Sequence, residues 1–228
     1  MSIADNLLKY KKELEGENVE LIAVSKFNDA DAVLEAYNAG QRIFGENIVQ
    51  ELVEKEAALP KDIAWHLIGH LQTNKVKYIA PFIQLIQSVD SLKLLAEIDK
   101  HAAKNKRVID CLLQIYIADE ETKFGLDHAE AIELLRSEEY LAMKNIRITG
   151  LMGIASNNAT EKQTQDEFQE LKVLFDGIKA SFFRKEDSFR ELSMGMSGDY
   201  KLAIEEGSTM IRIGSSIFGA RKIKHYKA

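Results

Sequence analysis

The stretch Leu21-Ile-Ala-Val-Ser-Lys-Phe-Asn28 contains the first short apolar run of the chain, and the residues that end it decide between two folds. A row of apolar or small residues suits a strand covered on both faces, as the strands of a parallel sheet are. In a doubly wound open sheet such an early strand is commonly followed by a glycine-rich turn that cradles a nucleotide. Here Ser25-Lys26-Phe27-Asn28 occupies that place without a glycine. A closed (β/α)8 TIM barrel, which needs no such turn, is therefore the expected fold.

Working outward, strand-like runs at 21–25, 42–45, 64–68, 82–88, 108–118, 147–152, 191–194 and 209–213 alternate with helical patterns at 29–38, 48–58, 92–104, 128–136, 164–183 and 200–206, and a short one at 73–79. Such alternation implies a parallel α/β sheet joined by helical crossovers. Eight units share 228 residues, close to the roughly 30 residues that a βαβ crossover takes. Asn28, Ser91 and Asp199 stand where N-caps belong, and Gly40 and Gly207 where a helix should stop. Two prolines, Pro60 and Pro81, and no Gly/Ser-rich stretch leave no linker, so residues 1–228 are expected to form one domain.

Composition removes several function classes. With 46% hydrophobic and 29% charged residues the chain can bury a full core. Its net charge is −6, and the one basic cluster, from Arg221 onward, reads as a solvated tail, so a nucleic-acid partner is not expected. The single cysteine, Cys111, lies among apolar neighbours and excludes an internal disulfide. The first twenty residues alternate leucines with charges and contain neither a signal peptide nor a membrane span. A cytoplasmic protein is expected.

In a barrel, chemistry collects where strands end. Lys26 follows the first strand, Glu46 and Asn47 the second, His66 to His70 the third, Ser88 and Asp90 the fourth, Ser156 and Asn157 the sixth, Ser197 the seventh, and Gly214, Ser215 and Ser216 the eighth. A lysine held at that mouth is either an ion-pair partner or an amine able to form a Schiff base with a carbonyl. The segments Ser193-Met-Gly-Met-Ser-Gly198 and Arg212-Ile-Gly-Ser-Ser216 combine glycines with hydroxyls, either as tight turns or as the phosphate cradle that barrels build after strands seven and eight. Arg212 suits a buried ion pair or a donor to a cofactor ring nitrogen. Together these features fit pyridoxal 5′-phosphate (PLP), or equally an aldolase acting on a sugar phosphate. His66 and His70 lack the carboxylates of a metal site, and Ser197 misses the nucleophile elbow because Asp199 replaces its last glycine. Glu120 and Glu121 read as a solvated loop.

At these residues the chain resembles the pyridoxal phosphate homeostasis protein family. The resemblance is carried by Ala23-Val-Ser-Lys26, Gly45-Glu-Asn-Ile-Val-Gln-Glu51, Trp65-His-Leu-Ile-Gly-His-Leu-Gln-Thr-Asn-Lys75, Ser88-Val-Asp-Ser91, Thr122-Lys-Phe-Gly125, Gly150-Leu-Met152, Leu192-Ser-Met-Gly-Met-Ser-Gly-Asp199, Gly207-Ser-Thr-Met-Ile-Arg-Ile-Gly214 and Ile217-Phe-Gly-Ala-Arg221. It implies an alanine-racemase-like barrel that holds PLP as an internal aldimine on Lys26. It further implies Ser197, Gly214 and Ser215 at the phosphate, Arg212 toward the pyridine nitrogen, and Asn47, His66 and Met152 lining the pocket.

The role so implied is vitamin B6 homeostasis, a carrier or buffer of PLP without robust turnover, with PLP-dependent apoenzymes as receivers and a monomer as the form. Many relatives continue the lysine with Thr and then Lys or Val, whereas this chain has Phe27 and Asn28, so a role for a second lysine there does not transfer. An arginine at the ring nitrogen weakens PLP as an electron sink. Eight βα units also leave no residues for the second domain through which racemases of this barrel type supply an opposite acid/base. A PLP-dependent amino-acid racemase or lyase is the alternative.

Overall fold

In the computed structural model, which describes residues 2–118 and 124–219, eight parallel strands close into a barrel in sequence order. They are β1 (Glu20–Val24), β2 (Ile43–Glu46), β3 (Ala64–Leu67), β4 (Leu85–Val89), β5 (Ile109–Ile115), β6 (Ile146–Gly153), β7 (Glu191–Met196) and β8 (Met210–Ile213). Closure sets β8 beside β1, with Ile22 opposite Arg212 and Ala23 opposite Ile213. Glu120 and Glu121, Thr122 and Lys123 of the 122–125 motif, and the basic tail from Arg221 lie outside the described residues.

The described helices are α1 (Ile3–Glu13), α2 (Ala30–Asn38), α3 (Val49–Ala58), α4 (Val76–Ile79), α5 (Leu92–Lys104), α6 (His128–Arg136), α7 (Glu138–Ala142), α8 (Glu161–Phe182), α9 (Tyr200–Glu205) and α10 (Ser215–Phe218). Each expected helix is present, the short one split between a 3-10 turn (Thr73–Lys75) and α4. Helices α1, α7 and α10 were not expected. The first begins with a capping box in which Ser2 and Asp5 satisfy each other's backbone N–H groups. Ser91 caps α5 as expected, but α2 is capped by Asp29 rather than Asn28. Asp199 occupies the N-cap position of α9 while its carboxylate accepts from the Met196 N–H behind it.

Strand alternation divides the apolar residues in two. Outward-facing Leu21, Ala23, Phe44, Trp65, Leu67 and Ile86 join the helices in the main core. A smaller inner cluster of Ile22, Leu85, Leu112, Met152 and Met210 plugs the barrel. Cys111 is fully buried in the main core, and burial pushes its thiol pKa up. No helix among the described residues is long and apolar enough to cross a membrane.

Candidate functional site

The C-terminal ends of β7, β8 and β1 adjoin, because Met196 pairs with Arg212 and Arg212 with Ile22. Ser197 follows the first of these strands, Gly214 and Ser215 the second, and Lys26 the third. Gly214 lies so close to β1 that an added Cβ would stand 3.4 Å from Val24. An amine, two Gly/Ser loops and several hydroxyls therefore share one sector of the mouth. Ser197 also lines a broad side cavity of about 790 Å3 with Ser156, Gly198, Asp199 and Tyr200.

Asn47, at the end of β2, lines a mouth cavity of about 240 Å3 with Ile68, His70, Gln114, Phe124 and Ile154. Its Oδ1 is buried and has no hydrogen-bond partner, a cost that a ligand donor would remove. Gly69 presses against it: a Cβ there would lie 2.5 Å from the Asn47 carbonyl oxygen. His70 stacks on Phe124 with ring centroids 3.9 Å apart, and its Nδ1 is 3.0 Å from Asp90 Oδ2.

Arg212 is buried, donating from Nη1 to Ser193 Oγ at 2.6 Å and from Nη2 to the Gly153 carbonyl at 2.8 Å. Burial pushes its pKa down to about 10, which leaves it a cation at neutral pH. Ser193 Oγ donates onward to Gln87 Oε1 at 2.7 Å, and Gln87 Nε2 donates to His66 Nδ1 at 3.1 Å. With Gln87 Nε2 as the donor, His66 Nδ1 accepts, which places the proton of the neutral ring on Nε2. Burial pushes His66 down to about 3, so the ring is neutral.

Two further residues expected to line the pocket, Met152 and His66, lie deeper in the barrel. Met152 is sealed in the inner apolar plug, and His66 lines a separate cavity of about 500 Å3 with Glu20, Ala64, Thr149 and Met210, at the opposite end of the barrel. Neither lines the cavity beside Asn47, and nor do Lys26, Ser197, Arg212, Gly214 or Ser215. Glu46, expected at the mouth beside Asn47, faces outward instead. It accepts from Ser25 Oγ at 2.6 Å and from Lys55 Nζ at 2.6 Å. Lys55 also donates to Glu51 Oε1 at 2.8 Å and to the Ser25 carbonyl at 2.8 Å, and Glu51 Oε1 accepts the Phe27 N–H at 2.7 Å. Sequence reading gave no role to Glu51, quoted only within the 45–51 motif, and did not single out Lys55. Their i, i+4 spacing on α3 was the available signal, and it reads as an exposed ion pair until the helix is placed.

A family model described as alanine racemase, N-terminal domain, matches residues 1–222. The pyridoxal phosphate homeostasis protein of Aquifex aeolicus is 40% identical over 209 residues, spanning 91% of this chain and 90% of its own. The chain belongs to the pyridoxal phosphate homeostasis protein family. Among solved structures, PipY of Synechococcus elongatus PCC7942 is 38% identical to this pyridoxal phosphate homeostasis family member. It has been determined without PLP (TM-score 0.89) and with PLP bound (TM-score 0.85), each matching 96% of this chain and 100% of that one. Alanine racemase of Clostridium difficile 630, 14% identical with a TM-score of 0.75, shares the fold alone with this member of the family.

Proposed function

We propose that this chain binds PLP at the barrel mouth, linked covalently through Lys26, and serves as a carrier or buffer of the cofactor without robust turnover. The observation that carries this reading is the meeting of Lys26 with the Ser197 and Gly214–Ser215 loops on three adjoining strand ends. The residues fit the group. Lys26 supplies the amine, Ser197, Gly214 and Ser215 the hydroxyl and backbone donors for a phosphate, Arg212 a cation toward a ring nitrogen, and Asn47 an unsatisfied acceptor. When bound, PLP supplies an aldehyde, which condenses with an amine with loss of one water, and an electron-withdrawing ring.

Arg212 argues against strong catalysis. It remains a cation with both Nη groups engaged, so it offers a hydrogen bond without giving up a proton. A ring nitrogen left unprotonated is a poor electron sink. The remaining parts of the reading are a single barrel domain over 1–228, a cytoplasmic monomer that avoids nucleic acid, and PLP-dependent apoenzymes as receivers.

Borohydride reduction of the PLP-loaded protein, followed by mass spectrometry, tests the reading. A reduced adduct on Lys26, absent from Lys26→Ala, is the expected result, and a protein that cannot be loaded with PLP overturns it. Multiple-turnover exchange of solvent deuterium into the α-carbon of an added amino acid would replace the carrier with the racemase or lyase.

A further inference from the structure

Strand alternation sends Lys26 toward the lumen and its neighbours toward α3. On that outer side both peptide units that meet at the Lys26 Cα are pinned. The carbonyl of the Ser25–Lys26 peptide accepts from Lys55 Nζ at 2.8 Å, and the N–H of the Lys26–Phe27 peptide donates to Glu51 Oε1 at 2.7 Å. The carbonyl of that second peptide accepts from Asn28 Nδ2 at 3.1 Å. Phe27 has φ of 64°, a left-handed conformation that a bulky residue holds only when its surroundings impose it. Turning either peptide plane would swing the Lys26 Cα–Cβ bond and move the amine at the end of its long stem.

The cluster that imposes this geometry is costly. The side chains of Glu46, Glu51 and Lys55 are at most 5% exposed. Two carboxylates share one ammonium, and Glu46 Oε2 and Glu51 Oε2 have no hydrogen-bond partner. Apolar residues of similar size would fill such a space at no greater cost to stability. Its polar contacts converge instead on Ser25 and Phe27, the residues on either side of Lys26.

We propose that Glu46, Glu51 and Lys55 are positioning residues that aim the Lys26 amine into the mouth and so set how fast it captures the PLP aldehyde. This rests on the reading that Lys26 carries the cofactor. Glu51 takes both its hydrogen bonds on Oε1, so an amide preserves them and a methyl does not.

The test follows the borohydride-trapped adduct against time after PLP is added to the stripped full-length protein, with the thermal midpoint measured alongside. Glu51→Ala is expected to slow capture about tenfold or more, since small misplacements of a reacting group cost that much, while Glu51→Gln restores it. Wild-type capture by a folded Glu51→Ala whose midpoint alone has fallen overturns the proposal. Should Glu51→Ala not fold, Ser25→Ala removes a single hydroxyl contact with Glu46. It is expected to slow capture about fivefold, one hydrogen bond's worth, and an unchanged rate overturns the proposal. Lys26→Ala separates the two levels. If it traps as much PLP as wild type, the reading beneath fails and the proposal with it. If it traps none while Glu51→Ala traps normally, only the positioning role fails.

Discussion

Arg212 and Ser193, on the adjoining strands β8 and β7, are joined by a 2.6 Å hydrogen bond in which the guanidinium donates and the hydroxyl accepts. The bond begins a chain that crosses the barrel interior to Gln87 and His66. It links the cation at the mouth to an imidazole that borders the cavity at the far end.

Ser193→Ala breaks that chain at its second link. Arg212 Nη1 loses its acceptor and Gln87 Oε1 its donor, both in buried surroundings. Unfolding in urea should show a loss of about 1–3 kcal/mol, the cost of leaving buried polar groups unpaired. PLP affinity should fall with it, because the guanidinium is then held by Gly153 alone. A variant as stable as wild type would mean that Arg212 finds another acceptor.

The direction of donation also fixes a proton. His66 should remain neutral with its proton on Nε2 at neutral pH, since Nδ1 accepts from Gln87 and burial holds the pKa near 3. Nitrogen-15 NMR of the imidazole distinguishes the tautomers. A His66 that titrates near pH 6.5, or carries its proton on Nδ1, would contradict the chain as described.

Glu46 and His66 tilt stability in opposite directions with pH. Burial raises Glu46 from 4.5 to about 7 against the pull of Lys55, so the folded state binds the extra proton and stability falls as pH rises from 4.5 to about 7. His66 is lowered from 6.5 to about 3, so its contribution is present above 6.5 and lost as pH falls toward 3. Each slope is at most about 1.4 kcal/mol per pH unit. Between pH 4.5 and 6.5 the two oppose each other. Glu46→Gln removes only the first, and its stability should climb with pH across that window more steeply than that of wild type. Parallel curves would show that Glu46 does not take up the proton.

Two glycine substitutions should separate packing from propensity. Gly69→Ala places a methyl 2.5 Å from the Asn47 backbone, which has to move. It should cost about 1–3 kcal/mol and weaken PLP binding. Gly177→Ala, within α8 and with nothing within 4 Å of the new Cβ, should stabilise by about 0.5–1 kcal/mol. Circular dichroism melts of both variants decide the matter.

The barrel was legible because its strands are short apolar runs that need helices on the outside, and because Ser25-Lys26-Phe27-Asn28 lacks the glycines of the competing fold. Helix α1 was not, since Leu7 is its one buried residue and a single apolar anchor gives no periodicity to read. Asn28 looked like a cap but is turned back to the Lys26 carbonyl, leaving the cap to Asp29. At the mouth, residues that directly follow strands could be named in advance, because strand ends define that surface. The cluster of Glu46, Glu51 and Lys55 could not. Charged side chains on a helix read as solvated until the strand that they pack against is known, and only then does Lys55 become buried.

The pairing of β8 with β1 also has a meaning for biosynthesis. Lys26 follows the first strand and the loops proposed to hold the phosphate follow the last two, so a nascent chain carries Lys26 through most of its translation before those loops exist. On the proposed reading, a truncated or unclosed copy would have the amine without the anchor. If the proposed site is right, firm retention of PLP requires that the two ends of the chain have met.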